Sequence, residues 1–318
     1  MTICRRNLLG LMAAMPWLAH AAADEKPMQI IVPFGPGGSG DISARMLAEA
    51  ITKRTGRAVT VDNRPGANGI IGVEAARKAA ADGSVLLLAT TSTHLANPSL
   101  FRKLPYDPGR DFRLVGTFGN GSTYLLVRPD APYRTLEELV QAAKAAPGKL
   151  NYGHFNATSS VSAAVLTSVA GISLTPVPYK QVGQAMTELM AGQIQMVFTD
   201  TVQGDSFVAS GQLRALAAHS QSRLKRYPQV PLIRETYPAF DVSGGFLGIA
   251  VPATTPAPVL QQLNDFINEA VNTDPIRSRL EGFGFTPYRA SLADLAAFER
   301  DERAKWRKYV DIARIEVQ

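Results

Sequence analysis

Short apolar runs rich in β-branched residues alternate with segments of helical period along most of this chain. "MQIIVPF" (28–34) predicts a strand, and a glycine-rich loop follows it. Residues 41–56 predict a helix with Ile42, Met46, Leu47 and Ala50 on one face, Asp41 as N-cap and Gly56 as its stop. "AVTVDN" (58–63) is the next strand, 69–80 the next helix and "SVLLLAT" (84–90) a third strand. This βαβαβ order is a doubly wound unit, which binds ligands beyond the carboxyl ends of its strands. The loops Gly35–Asp41 and Thr90–His94 both fall at such ends.

The same logic recurs downstream. Strands are predicted at 123–129, 149–153, 175–179, 194–200 and 213–219, with helices at 135–148, 161–171 and 184–192. "FLGIAVPA" (246–253) reads as a strand buried on both faces, and helices near 256–272 and 291–312 close the chain. No Pro/Gly/Ser-rich linker separates the two βαβ sets, so a double crossover fits better than two domains in tandem. The expected fold class is α/β, with two lobes each built on a central, mainly parallel sheet flanked by helices. Lobe 1 is placed at 24–122 plus 247–318 and lobe 2 at 123–246, with crossings near Thr123 and Phe246.

Composition adds a compartment. Residues 1–23 combine Arg5 and Arg6, an apolar middle from Leu8 to Ala19, and "AHA" and "AAA" at 19–23, the pattern of a cleaved secretory signal peptide. Twin arginines before the apolar run allow either Sec or Tat export. Cleavage removes Cys4, the only cysteine, and with it any disulfide, thiol nucleophile or cysteine-based metal site. It also lowers the net charge from +6 to +4 by removing Arg5 and Arg6. That excess is scattered, with no basic run among aromatics, which argues against nucleic acid and suits a small anion.

Gly35-x-Gly37-x-x-Gly40, with Asp62 downstream, has nearly the spacing of a dinucleotide fingerprint. Three features count against that reading. Gly40 precedes Asp41, so the glycines are expected to form a wide loop outside the helix. Pro33 and Pro36 remove N–H donors, and soluble nicotinamide cofactors are scarce outside the cytoplasm. The loop suits a carboxylate equally well, because glycines let backbone donors and a helix N-terminus approach an anion. No Gly-x-Ser-x-Gly elbow occurs, and His94, His154 and His219 are not at metal-ligand spacing. His219 reads as structural, while His94 and His154 either touch a ligand or hold their loops. What remains is hydroxyl- and amide-rich strand-end loops: Ser39; Thr90 to Thr93; Asn156, Thr158, Ser159 and Ser160; Thr199 and Asp200. That is the wall chemistry of a binding cleft, with no catalytic, cofactor or metal residues expected. Ser159 and Ser160 also fit as N-caps of the following helix.

"IIVPFGPGGSGDISARMLAEAI", "VTVDNRPGANGIIGVEAARKAAADG", "THLANPSLFRKLPYDPGRDF", "PGKLNYG", "VPYK", "MAGQIQMVF" and "GQLRALAAHSQSRLKRYPQVPLIRE" follow in this order. Together they resemble the receptors of tripartite tricarboxylate transporters, the Bug-type periplasmic solute-binding proteins. The resemblance implies a type II periplasmic-binding-protein fold that closes on an organic carboxylate. It also implies delivery to a membrane permease with a large and a small subunit, and a monomeric, non-enzymatic protein. By the same resemblance the ligand carboxylate is held by Phe34, Gly37, Gly38, Ser39 and Asp41. Opposite stand Tyr152, Gly153, His154, Phe155, Asn156, Thr158 and Ser159, with Thr90, Ser92 and Thr93 nearby and Thr199 and Asp200 completing the set. Two departures bear on the ligand. His154-Phe155-Asn156 stands where family members commonly have Ser-Ala-Gly, and Thr199-Asp200 where they often have Asp-Asn. An aromatic mono- or dicarboxylate without an ammonium group is therefore expected, with an aliphatic di- or tricarboxylate such as citrate as the second choice. An exported enzyme acting on a carboxylate is the competing class.

Overall fold

The computed structural model describes residues 26–317; the expected signal peptide lies outside them. The first sheet contains β1 (Met28–Val32), β2 (Val59–Asn63), β3 (Val85–Thr90), β4 (Phe112–Asn120) and β10 (Phe246–Pro252), in the order β2-β1-β3-β10-β4. The second contains β5 (Thr123–Val127), β6 (Asn151–His154), β7 (Thr175–Pro178), β8 (Met196–Asp200) and β9 (Arg214–His219), in the order β7-β6-β8-β5-β9. β10 is antiparallel to both its neighbours, as is β5 in the other sheet, while β1 pairs β2 and β3 in parallel and β6 pairs β7 and β8 in parallel. Each sheet thus has one strand running against the rest, which is the mainly parallel, two-lobed α/β architecture expected.

Helices α1 (Ser39–Thr55), α2 (Ile70–Arg77), α3 (Asn97–Leu100) and α4 (Pro108–Asp111) accompany the first sheet. With the second come α5 (Leu136–Ala145), α6 (Ala157–Ala170), α7 (Val182–Met190), α8 (Thr201–Ala209) and α9 (Ile233–Thr236). α10 (Ala257–Asn272), α11 (Ile276–Gly282) and α12 (Leu292–Ile312) complete the chain. α12 packs on β4 and also on α6. One continuous core accordingly joins Leu87 and Phe112 of the first sheet to Leu125 and Phe198 of the second through Trp306 and Tyr309.

Three sequence expectations are corrected. α1 begins at Ser39 with Gly38 as N-cap, so Asp41 is inside the first turn and is not the cap. Gly40 therefore also lies inside the helix, where a Cβ would come within 2.5 Å of Leu88 Cδ2. The expectation that all three glycines stand in a loop outside the helix is wrong; Gly40 permits close helix–strand packing. α6 begins at Ala157, four residues before the expected 161, because Asn156 caps it: its side chain accepts from Ser159 N and the Ser159 hydroxyl answers at the Asn156 backbone. β4 was absent from the sequence reading. Its glycines disguise it, yet Gly116 is where Ile267 packs, 2.4 Å from a Cβ position, and Gly119 (φ 101°) is where the Thr286 backbone crosses.

The sheets are joined by two segments that run side by side. β4 ends at Asn120 and β5 starts at Thr123, while the returning chain enters β10 at Phe246. Between them Gly121 N donates to Gly245 O at 2.5 Å, and a Cβ on Gly244 would lie 2.1 Å from Gly121 O. No flexible side chain is available to yield there. Gly244→Ala should destabilise the protein by about 1–3 kcal/mol in urea unfolding, the cost of overpacking; unchanged stability would contradict this close backbone approach.

Candidate functional site

A cleft of ≈ 900 Å³ opens between the carboxyl ends of the two sheets. The N-cap residues of four helices line it: Gly38 of α1, Asn156 of α6, Gln181 of α7 and Asp200 of α8. Each brings partial positive charge and N–H groups without intrahelical acceptors. Lys180 is the only lysine or arginine lining the cleft among the described residues. Attraction for an anion therefore comes mainly from backbone.

In the glycine loop, Gly37 (φ 81°) turns the chain so that its N–H donates to Asp41 Oδ2 at 3.0 Å. Arg45 pairs the same carboxylate at 2.9 Å, one turn along α1. Burial alone would raise the Asp41 pKa, but hydrogen bonds from Arg45, Gly37 N–H and Asn63, with the Arg45 charge, hold it below the ordinary 3.8. Asp41 thus braces the loop from within the helix, and its charge is already matched.

The lobes touch at this loop. Ser39 Oγ donates to Asp200 Oδ2 at 3.2 Å, and the Gln203 amide lies 3.5 Å from a Cβ position on Gly38. Asp200 also accepts from the backbone and the side chain of Gln203. Burial pushes its carboxyl above the usual range in spite of those donors.

Of the residues expected at the site, Phe34, Gly37, Gly38, Ser39, Asp41, Thr90, Ser92, Phe155, Asn156, Thr158, Ser159, Thr199 and Asp200 line the cleft. Thr93, Tyr152, Gly153 and His154 do not. Thr93 is fully buried and exchanges hydrogen bonds with Thr90 in a capping box. Tyr152, Gly153 and His154 belong to β6, and Gly153 packs against Ile194. His94 is wholly buried, bonded to Thr93 Oγ1 and tilted against Phe112, with its pKa lowered to about 3 by burial. His219 is likewise buried and lowered to about 3, beside Ser162 and between Phe198 and Phe240.

Sequence reading missed three parts of the wall. One is the turn Pro65–Gly69, where Ala67 (φ 46°) and Asn68 (φ 54°) hold left-handed backbone. Such strain in "NRPGANG" could have marked it, since Asn and Gly favour that region. The second is Tyr179–Gly183 with Val202, Gln203 and Phe207, and the third is the crossover, Gly121–Thr123 and Gly245–Leu247 with Phe285. Asp62, the acid of the apparent dinucleotide fingerprint, is outside the cleft and engaged by Gln29 and Arg64. A second groove, ≈ 640 Å³ and lined by Arg134, Arg214 and Pro231, holds none of the expected site residues. No group of three or more His, Cys, Asp or Glu suited to a metal occurs among the described residues, and none of their helices is long and apolar enough to cross a membrane.

Residues 43–314 match the family model described as tripartite tricarboxylate transporter family receptor. The chain is 35% identical over 287 residues to Protein BugT of Bordetella pertussis, covering 88% of this chain and 87% of that one. It is similar in structure to R. palustris Rpa4515 with adipate, at TM-score 0.88 and 25% identity over 92% of this chain and 99% of that one. It is also similar to MatC (Rpa3494) from Rhodopseudomonas palustris with bound malate, at TM-score 0.83 and 28% identity over 90% and 99%.

The Asp41 brace yields a pH signature. A carboxyl whose folded pKa lies below its unfolded value stabilises the fold above that unfolded value, and the contribution disappears as pH falls through the folded pKa. Asp41→Asn should therefore cost about 1 kcal/mol at neutral pH. The gap in melting temperature to the parent should stay flat down to about pH 5 and close as the pH drops below 3.8. A gap of constant size at pH 3 would contradict the assignment.

Proposed function

Since the chain belongs to the tripartite tricarboxylate transporter receptor family, we propose that it is a periplasmic solute receptor that captures a small organic carboxylate by lobe closure. The observation that carries this is the convergence of four helix N-termini on a cleft with, among the described residues, a single lining cation. A carboxylate is matched there by N–H donors of Gly38, Ser39 and Gly40 from one lobe. From the other come Ala157 and Thr158, whose N–H groups open α6. Closure swings the lobes about the paired crossover segments and brings Asp200 and Gln203 onto the glycine loop. The closed receptor then hands its ligand to a membrane permease with a large and a small subunit. No bond is made or broken, no cofactor takes part, and binding is 1:1 to a monomer. The lobe boundaries follow the crossovers, 24–122 with 247–318 against 123–246. The N-terminal pattern of residues 1–23 supports export.

An aromatic mono- or dicarboxylate suits the walls. Phe34, Phe155, Tyr179 and Phe207 line the cleft, and Phe155 is half-buried and also packs against the core of the second sheet. The aliphatic reading draws on the adipate and malate held by the two structural relatives.

A thermal-shift screen over benzoate, phthalates, succinate, adipate and citrate, followed by calorimetry, separates these. Aromatic acids should stabilise the protein most, and Phe155→Ala should weaken an aromatic acid at least about tenfold more than an aliphatic one. Stabilisation by aliphatic acids alone, or equal losses in the variant, would remove the aromatic reading. Stabilisation by NAD, or recovery of a chemically altered ligand, would remove the receptor reading itself.

A further inference from the structure

Four of the cleft-lining residues carry buried side-chain oxygens without a hydrogen-bond partner: Asp41 Oδ1, Asn68 Oδ1, Thr199 Oγ1 and Gln203 Oε1. Asp41 Oδ1 is served by the Arg45 ion pair. The other three are not, and for the two amides the network dictates which end is left without a partner.

On the first lobe the chain of hydrogen bonds starts at a backbone carbonyl, which can only accept. Tyr106 Oη donates to Thr93 O at 2.8 Å, so its oxygen accepts from Asn97 Nδ2 at 3.1 Å. Asn97 is fully buried, and with its NH₂ so placed its Oδ1 accepts from Asn68 Nδ2 at 2.9 Å. Asn68 is left with its carbonyl oxygen unpaired. On the second lobe the fixed point is Asp200, which while ionised can only accept. It takes the N–H of Gln203 at 3.0 Å and the Nε2 of the same residue at 2.5 Å, so Gln203 Oε1 is the end left over. Thr199, 2% exposed, adds a hydroxyl with no partner.

The cleft wall is thus polarised: backbone donors at the helix N-termini, and surplus amide acceptors on Asn68 and Gln203, while the Thr199 hydroxyl can serve either way. A plain carboxylate only accepts hydrogen bonds and leaves those acceptors unmatched, at a cost of about 1–3 kcal/mol for each buried group. We propose that the ligand is a hydroxycarboxylate, whose hydroxyl donates to Gln203 Oε1 or Asn68 Oδ1, and that these two residues set specificity for it. This rests on the carboxylate reading above and adds a second functional group to the ligand.

The test uses the mature protein and acids paired by one hydroxyl: malate with succinate, mandelate with phenylacetate, 3-hydroxybenzoate with benzoate. The amino counterparts aspartate, phenylglycine and 3-aminobenzoate are included, and dissociation constants are measured by calorimetry. In at least one pair the hydroxylated acid should bind at least about tenfold tighter than its parent. Gln203→Met, which keeps length and removes the amide, or Asn68→Gly, which keeps the left-handed backbone, should bring that ratio to within about threefold. Asp200→Asn should do the same by a different route. Its new NH₂ donates to Gln203, turns that amide over and presents a donor where an acceptor stood.

Equal binding of parent and hydroxylated acids in every pair overturns the inference and leaves the carboxylate reading standing. A hydroxyl preference that survives both Gln203→Met and Asn68→Gly overturns it too, as does tighter binding of the amino acids than the hydroxy acids. If no carboxylate binds at all, both readings fall together.

Discussion

Two segments of backbone pass between the sheets so closely that one of them, at Gly244, has no space for a side chain. Gly121 N–H meets Gly245 O, and the Gly244 α-carbon faces Gly121 O with no room for a Cβ. This contact sets the rest. It continues the antiparallel pairing of β10 with β4 up to Phe246 and Asn120, so both sheets start from one seam. With β5 and β10 each inserted antiparallel into the opposite sheet, the carboxyl ends of the remaining strands face one another across the cleft. The following helices then begin there, and their N-termini converge.

That convergence supports the proposed attraction for an anion in a cleft where, among the described residues, Lys180 alone is a lining cation. Peptide dipoles need no counterion and do not move, so they are already oriented before a ligand arrives. It also explains why two acids can sit in an anion site. Asp41 is matched by Arg45 and by the loop it braces, and Asp200 caps α8 while gripping Ser39 across the cleft. Both carboxylates are committed to protein donors, which leaves the unpaired helix N–H groups for the ligand.

Much of the architecture was legible in the sequence because alternating strand and helix periods are local. The glycine loop was legible too, although its third glycine was misplaced: the helix starts at Ser39, and Gly40 packs on Leu88 within its first turn. Failures trace to hydrogen-bond and packing partners that residue type and periodicity do not name. Thr93 has the residue type of a cleft wall, but its hydroxyl closes a capping box with Thr90. β4 was hidden because its glycines are explained only by Ile267 and Thr286, far along the chain. Asn68 and Gln203 were invisible for the same reason. An amide has two ends, and which of them is left unpaired is decided by Asn97 and Tyr106 in one case and Asp200 in the other.

Backbone N–H groups at facing helix N-termini are proposed to hold a carboxylate between closed lobes. A crystal structure of the protein with whichever acid stabilises it most tests this directly. The account predicts carboxylate oxygens within hydrogen-bond reach, directly or through one water, of N–H groups at Gly38–Gly40 and at Ala157–Thr158, with Ser39 and Asp200 in contact. A carboxylate held instead by arginine or lysine side chains, in the groove beside Arg134 and Arg214 or elsewhere, would contradict it.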